Sequence, residues 1–159
     1  MRRKIHLLAM DVDGTLTDGR LYYGPKGEAM KAFSVKDGMG ILMLHKAGIK
    51  TAIITARVSS IVDARAKELG IPFVLQGVMD KKSALLELAK ENSILPEAVA
   101  FVGDDTNDLA AMQAVGSSFA PADAAEPVRM AATVLLTRKG GDGAVRECAE
   151  LILEGRDTK

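Results

Sequence analysis

The chain has 159 residues, 48% of them hydrophobic, and its 21 basic residues balance 21 acidic ones, so the formal net charge is zero. This length and composition predict one domain, residues 1–159, with a sizeable core, and the lack of a basic excess argues against a nucleic-acid partner. The single cysteine excludes an internal disulfide and fits a reducing compartment. No apolar run is long enough to span a membrane, and the basic start at residues 1–4 precedes a strand too short for a signal-peptide core. We therefore expect a soluble, cytoplasmic protein with no membrane partner.

The first predicted element is a strand over residues 5–10, which are apolar without interruption, as in strands that are buried on both faces of a parallel sheet. Asp11 and Asp13 follow it directly, and side chains two residues apart on an extended backbone point the same way. Two carboxylates this close repel each other unless a cation lies between them or one keeps a proton. This strand end is therefore the first candidate site, and the pattern indicates metal-assisted phosphoryl transfer.

The rest of the chain alternates strand and helix patterns. In chain order we predict a hairpin of 20–23 and 29–35 around a Gly/Pro turn, a helix from the cap Asp37 to Gly48, strand 51–54, helix 58–69, strand 73–75, helix 81–91, strand 99–102, helix 109–115, strands 117–120 and 133–136, and helix 144–153. This order predicts an α/β fold with a mostly parallel sheet, helices on both of its faces and a small β-hairpin.

Polar residues follow three of the predicted strands. Asp11, Thr55 and Asp104 each stand at or just after a strand end, so a parallel sheet would gather them on one rim. The segment GDDTND at 103–108 adds further carboxylates, and a dense group of carboxylates suits a hard cation such as Mg²⁺. Asp105 also fits a simple helix cap, but capping leaves Asp104 unexplained.

These motifs resemble those of the haloacid dehalogenase-like (HAD) phosphatases. DVDGTLTD at 11–18, Thr55 after an apolar strand, a lysine at 81 and GDDTND at 103–108 match the four motifs of that family in the family's order. The resemblance implies a Rossmann-like fold. It also implies that Asp11 is the nucleophile that forms an aspartyl phosphate.

The resemblance assigns further catalytic roles. Asp13 would protonate the leaving alcohol and then accept a proton from the attacking water, while Thr55 and Lys81 would hold phosphoryl oxygens. Lys82 is the alternative lysine, but Asp80 fits the cap of the following helix, which places Lys81 nearer the rim.

The same resemblance implies a magnesium site. Its ligands would be Asp11, the carbonyl of Asp13 and Asp104, with Asp105 and Asp108 supporting them from outside the coordination sphere. Mg²⁺ is thus the expected cofactor.

A narrower similarity is to the 3-deoxy-D-manno-octulosonate 8-phosphate (KDO 8-phosphate) phosphatases. It is carried by KAFSVKDGMGI at 31–41, IITAR at 53–57, QGVMDK at 76–81 and GGDGAVRE at 140–147. The implied substrate is an acidic eight-carbon sugar phosphate of lipopolysaccharide synthesis. Ala56 departs from the glycine that this family commonly has between Thr and Arg.

The chain has no room for the cap domain that many HAD enzymes insert, so the site needs another cover. The hairpin, with Leu21, Tyr22, Tyr23 and Phe33, offers apolar surface for a neighbouring subunit, and the resemblance implies a homotetramer.

For the substrate's carboxylate the candidates are Arg57, Lys36 and the glycines Gly140 and Gly141. A guanidinium binds a carboxylate with two parallel bonds, and glycines let backbone amides approach an anion.

Three alternatives to this function stay open at this point. They are a phosphatase for a nine-carbon sialic-acid-type 9-phosphate, a receiver-like signalling domain that is phosphorylated on an aspartate, and a regulatory domain that is no longer catalytic. The intact Asp11, Asp13, Lys81 and Asp104 argue against the last, and Thr55 after the second strong strand argues against the receiver.

Overall fold

The apolar run at the start of the chain forms the central strand of a parallel sheet. The computed structural model describes residues 4–157, so most of the basic start lies outside the described residues. Strand β1 (Leu7–Met10) is buried throughout. Its two edges pair in parallel with β4 (Lys50–Ile54) and β6 (Val99–Val102). A strand in this position has no solvent-facing side, which explains why every residue in it is apolar.

The main sheet has three further parallel strands, β5 (Phe73–Leu75), β7 (Ser117–Ala120) and β8 (Val134–Leu135). Its six strands lie in the order β5-β4-β1-β6-β7-β8. The chain builds outward from β1 on one side and then outward on the other, which is the Rossmann-like order. This confirms the predicted fold class. It also puts a topological switch point, where such folds bind ligands, beside the carboxyl end of β1.

Helices cover both faces of the sheet, as predicted. They are α1 (Val35–Lys46), α2 (Ser60–Leu69), α3 (Lys81–Glu91), α4 (Leu109–Gln113), α5 (Glu126–Ala131) and α6 (Ala144–Leu153). Leu8 and Met10 of β1 pack in a core with α1, α2 and α6, whereas Leu7 and Ala9 pack in a second core with α3, α4 and α5. No helix within residues 4–157 is long and apolar enough to cross a bilayer.

The predicted hairpin forms a separate two-stranded antiparallel sheet. Its strands are β2 (Tyr22–Gly24) and β3 (Gly27–Met30), both shorter than predicted, and a register shift interrupts them after Tyr22. Leu21 and Tyr23 are exposed, as expected. Phe33 instead packs against the core of α1, α2 and α6, and is not part of an exposed apolar face.

One prediction about the helices was wrong, and one helix was missed. Ser34, not Asp37, caps α1, because its side chain accepts the amide hydrogen of Lys36. Helix α5 was not predicted, since it has six residues and begins with a proline in its first turn, which leaves no apolar period to recognise.

Candidate active site

The loop after β1 turns tightly and holds its carboxylates at the sheet edge. The amide of Asp11 donates to the carbonyl of Val102 at 3.1 Å, so the residue continues the ladder between β1 and β6. Gly14 has a φ of 91°, and a side chain there would overlap the carboxylate of Asp104. Only glycine allows this approach, which brings the loop after β6 against the loop after β1.

Three carboxylates converge at this edge. One oxygen from each of Asp11, Asp104 and Asp108 lies within 4.8 Å of the other two. The Lys81 side chain, 1% exposed, contacts Asp11 Oδ1 at 2.9 Å and Asp108 Oδ1 at 2.7 Å. The structure thus places Lys81 beside the predicted nucleophile, and Asp80 caps α3 as predicted.

Asp108 organises the segment that carries Asp104. Its Oδ2 accepts the amide hydrogens of Asp104 at 3.0 Å and Asp105 at 3.3 Å, while its Oδ1 accepts from Lys81. Asp105 is exposed and accepts the amide hydrogen of Thr106 at 2.7 Å, so it serves as the cap of the turn at 106–108. Since both oxygens of Asp108 are occupied by donors, its position fits the predicted supporting role.

The charges of this acidic cluster (Asp11, Asp104 and Asp108) are not balanced by Lys81 alone. Burial, together with Asp11 and Asp108, raises the pKa of Asp104 to about 8. Burial and the nearby Asp11 likewise raise the pKa of Asp108 to about 6. Burial lowers the pKa of Lys81, but the attraction of Asp11 and Asp108 outweighs it and the net shift is upward.

A divalent cation fits this cluster. The excess negative charge favours a proton on Asp104, and a hard cation with oxygen ligands would relieve the same excess. Carboxylates are the donor set that Mg²⁺ prefers, so the residues present suit the predicted metal.

Thr55, predicted to bind phosphate, and Arg57, predicted to bind the carboxylate of the substrate, lie at the end of β4. Thr55 is buried directly after that strand, and its amide donates to the carbonyl of Leu75 at 3.0 Å. Arg57 follows in the loop, with its Nε 3.8 Å from Asp13 Oδ2. Both residues therefore stand on the predicted rim, next to the loop of Asp11 and Asp13.

The predicted sugar-binding residues are more scattered. Lys36 is exposed and borders a cleft with Arg138 and Arg146, and no ion pair within residues 4–157 joins it to the acidic cluster. Gly140 is a glycine because a side chain there would overlap the carbonyl of Gly14.

The amides of the two glycines are already used. The Gly140 amide donates to Asp123 Oδ1 at 3.0 Å, and that of Gly141 donates to the carbonyl of Thr15 at 3.0 Å. Each amide therefore has an acceptor within the protein, and the two glycines pack this segment against the loop after β1.

Sequence comparison identifies the family. A model of haloacid dehalogenase-like hydrolases matches residues 71–147. The 3-deoxy-D-manno-octulosonate 8-phosphate phosphatase of Haemophilus influenzae is 43% identical over 96% of this chain and 84% of its own length. The same enzyme of Yersinia pestis is 46% identical over 96% of this chain and 82% of its own. The chain belongs to the KDO 8-phosphate phosphatase family of HAD hydrolases.

Solved structures agree with this membership. The KDO 8-phosphate phosphatase of Moraxella catarrhalis, in complex with magnesium ion, phosphate ion and KDO, has a TM-score of 0.93 and 45% identity, covering 97% of this chain and 88% of that one. A cobalt-bound form of the Haemophilus influenzae phosphatase has a TM-score of 0.94 and 42% identity, covering 97% and 90%. Membership in a family of phosphatases argues against the receiver-like and non-catalytic alternatives.

Two residues that contact the candidate site were not predicted from the sequence. Thr15 donates its hydroxyl hydrogen to Asp104 Oδ1 at 3.2 Å. Lys31, which directly follows β3 of the hairpin, forms an ion pair with Asp13, and its Nζ lies 2.6 Å from Asp13 Oδ1. Thr15 lies inside the first motif and could have been included, but no spacing rule brings a hairpin residue to Asp13.

Proposed function

We propose that the protein is a Mg²⁺-dependent phosphatase that hydrolyses KDO 8-phosphate to KDO and inorganic phosphate in lipopolysaccharide biosynthesis. The observation that carries the proposal is the cluster of Asp11, Asp104 and Asp108 around the buried Lys81, at the carboxyl end of the central strand. It occurs in a chain that is 43% identical to a KDO 8-phosphate phosphatase over nearly its whole length.

The reaction proceeds in two displacements. In the first, an Asp11 oxygen forms a bond to phosphorus while the bond from phosphorus to the sugar oxygen breaks, and Asp13 gives that oxygen a proton. In the second, water attacks the aspartyl phosphate, Asp13 takes its proton back from the water, and the bond from Asp11 to phosphorus breaks. Both steps restore the starting enzyme.

Cations make this attack electrostatically feasible. Asp11 is an anion and so is the phosphoryl group, so their approach requires positive charge between them. Lys81 supplies one charge, already in contact with Asp11, and Thr55 offers a hydroxyl to a phosphoryl oxygen. Asp11, the carbonyl of Asp13 and Asp104 would hold Mg²⁺, with Asp105 and Asp108 in support, and the bound ion would shield the remaining negative charge.

Arg57 is proposed to bind the carboxylate of the sugar. It follows Thr55 by two residues, its side chain is 44% exposed, and its guanidinium points toward Asp13 at 3.8 Å. Lys36 and the segment around Gly140 and Gly141 complete the proposed sugar site. The two glycines contribute by letting their loop pack closely against the loop after β1.

The proposed assembly is a cytoplasmic homotetramer. Leu21 is 41% exposed, Tyr23 66% and Met30 59%, and a second copy of the chain could bury this apolar hairpin surface and cover the uncapped site. The reducing compartment is supported by the single cysteine, Cys148, which is buried on α6.

Phosphate release from a panel of phosphate monoesters tests the function. With Mg²⁺ present we expect turnover of KDO 8-phosphate well above that of a nine-carbon sialic-acid-type 9-phosphate, and none after chelation of the metal. Asp11→Asn is expected to abolish turnover, because an amide is a far weaker nucleophile toward phosphorus. Preference for the nine-carbon substrate would contradict the substrate assignment, and full activity of Asp11→Asn would contradict the nucleophile.

A further inference from the structure

The carboxylate of Asp13 is held by a residue of the hairpin. Lys31 Nζ lies 2.6 Å from Asp13 Oδ1, and the Lys31 side chain is only 2% exposed. Asp13 Oδ2 has a longer approach, 3.8 Å, from Arg57 Nε. One carboxylate oxygen of Asp13 is thus fixed by a buried ammonium, while the other has no close ion pair within residues 4–157.

Lys31 is itself held in place. Glu28 Oε2 lies 3.0 Å from Lys31 Nζ, and Arg57 Nη2 lies 3.6 Å from the same oxygen. Glu28 Oε1 accepts the hydroxyl hydrogen of Ser59 at 2.9 Å. These charges link the loop after β1, the hairpin and the loop after β4. Asp13, Lys31, Glu28 and Arg57 thus form a closed ring of charges. Because partly buried charges are costly to leave unpaired, this ring has little freedom to rearrange.

We propose that Lys31 is a positioning residue for Asp13, with Glu28 keeping Lys31 in place. The inference rests on the proposed function, in which Asp13 exchanges a proton with the leaving oxygen and later with water. By binding Oδ1, Lys31 turns Oδ2 toward the reacting group. As the bond from phosphorus to oxygen breaks, the proton on Oδ2 passes to the departing sugar oxygen, and the electron pair of the O–H bond stays on Asp13.

A purely structural role and a positioning role for Lys31 predict different effects on the rates with different substrates. If Lys31 only fastened the hairpin, its loss would slow all substrates alike. If it positions Asp13, its loss would slow mainly those substrates whose leaving group needs a proton. A sugar alkoxide needs one, whereas p-nitrophenolate departs without it.

The test compares kcat/KM, which reports the steps up to release of the leaving group. Lys31→Met is expected to lower kcat/KM for KDO 8-phosphate by about 10- to 100-fold and for p-nitrophenyl phosphate by no more than about threefold. Glu28→Gln should also lower the ratio of kcat/KM for KDO 8-phosphate to kcat/KM for p-nitrophenyl phosphate, but by a smaller factor. Lys26→Met, at the exposed tip of the same hairpin, is the matched control and should leave both values unchanged.

An equal fall for both substrates, or no fall, would overturn the role of Lys31. Thermal melting and light scattering check that each variant keeps the wild-type fold and size. Should Lys31→Met not fold, the ratio in Glu28→Gln and Lys31→Arg decides, since Arg restores the charge but not the 2.6 Å geometry. A wild-type protein that hydrolyses neither substrate would refute the proposed function, which distinguishes that failure from this one.

Discussion

At the scale of single residues, the charge balance around Lys81 decides what the site can bind. Three carboxylates meet one buried ammonium, and the excess negative charge in a desolvated place favours proton uptake. Burial and the neighbouring Asp11 and Asp108 raise the pKa of Asp104 to about 8. Protonation of Asp104 is therefore favoured when no metal is bound, and Mg²⁺ has to compete with that proton.

Magnesium binding should consequently depend on pH. Because Mg²⁺ binds the deprotonated carboxylates, its apparent affinity should rise with pH up to about 8, by up to about tenfold per unit, and fall more steeply below about 6, where Asp108 is also protonated. Calorimetric titration in buffers of different ionisation enthalpy would count the protons released. Glu91→Gln, at an exposed carboxylate at the other end of α3 from Lys81, should bind Mg²⁺ with the same pH dependence as wild type. Binding without proton release at pH 7 would contradict this account.

The residues that the sequence could predict are those fixed by strand ends. Asp11 and Asp104 follow buried apolar runs that pair in the sheet, so their meeting requires only the parallel order of β1 and β6. The family resemblance implied a lysine beside the nucleophile, and the local cap at Asp80 favoured Lys81 over Lys82. Lys31 could not be predicted, because it reaches Asp13 through the orientation of the hairpin on the sheet. That orientation depends on the ring of charges and not on any local pattern.

At the scale of elements, Asp37 shows how a tertiary contact overrides a local rule. An acidic residue just before an apolar helical pattern is typical of a helix cap, so the sequence predicted that Asp37 caps α1. In the structure Ser34 caps this helix. Asp37 is buried and reaches α6, where its Oδ1 accepts the amide hydrogen of Arg146 at 2.9 Å. Since Gly143 provides no side-chain cap, Asp37 caps α6 from another helix.

Asp37 should make stability depend on pH in a defined direction. Burial raises its pKa above 3.8, against the opposing effect of backbone amides of α6, and no hydrogen-bond partner for its Oδ2 lies within residues 4–157. The folded state therefore binds the proton more tightly than the unfolded state. The contribution of this group to stability is largest at low pH and falls as the pH rises through the folded-state pKa.

Substitutions at Asp37 test this sign. Asp37→Asn keeps an acceptor for α6 and removes the buried charge, so its free energy of unfolding should rise relative to wild type as the pH increases above about 4. Asp37→Ala should lose about 2 kcal/mol at neutral pH, since it leaves the start of α6 uncapped. Denaturant unfolding across pH measures both, with the exposed Glu91→Gln as control. A difference for Asp37→Asn that falls as the pH rises would contradict the argument.

At the scale of the whole molecule, the sheet order gathers the chemistry and leaves the site open. The alternation of strands and helices predicted a mostly parallel sheet, and the structure adds the order of its strands around β1. The residues between β1 and α1 form only turns and the hairpin. The surface that covers the site could not be predicted in detail. The exposure of Tyr23 and Met30 depends on the orientation of the hairpin, with its register shift, relative to the main sheet.

If a second copy of the chain covers the hairpin, charging that surface should separate the subunits. Wild-type protein is expected near 68 kDa by light scattering, about four times the 16.9 kDa chain. Tyr23→Glu combined with Met30→Glu should yield monomers, because burying two carboxylates in an apolar interface is strongly unfavourable. Turnover of sugar phosphates should then fall more than tenfold, as the site loses its cover. Met130→Glu, at an exposed methionine on α5, should change neither size nor turnover. A monomeric variant with wild-type activity on KDO 8-phosphate would show that each chain completes its own site.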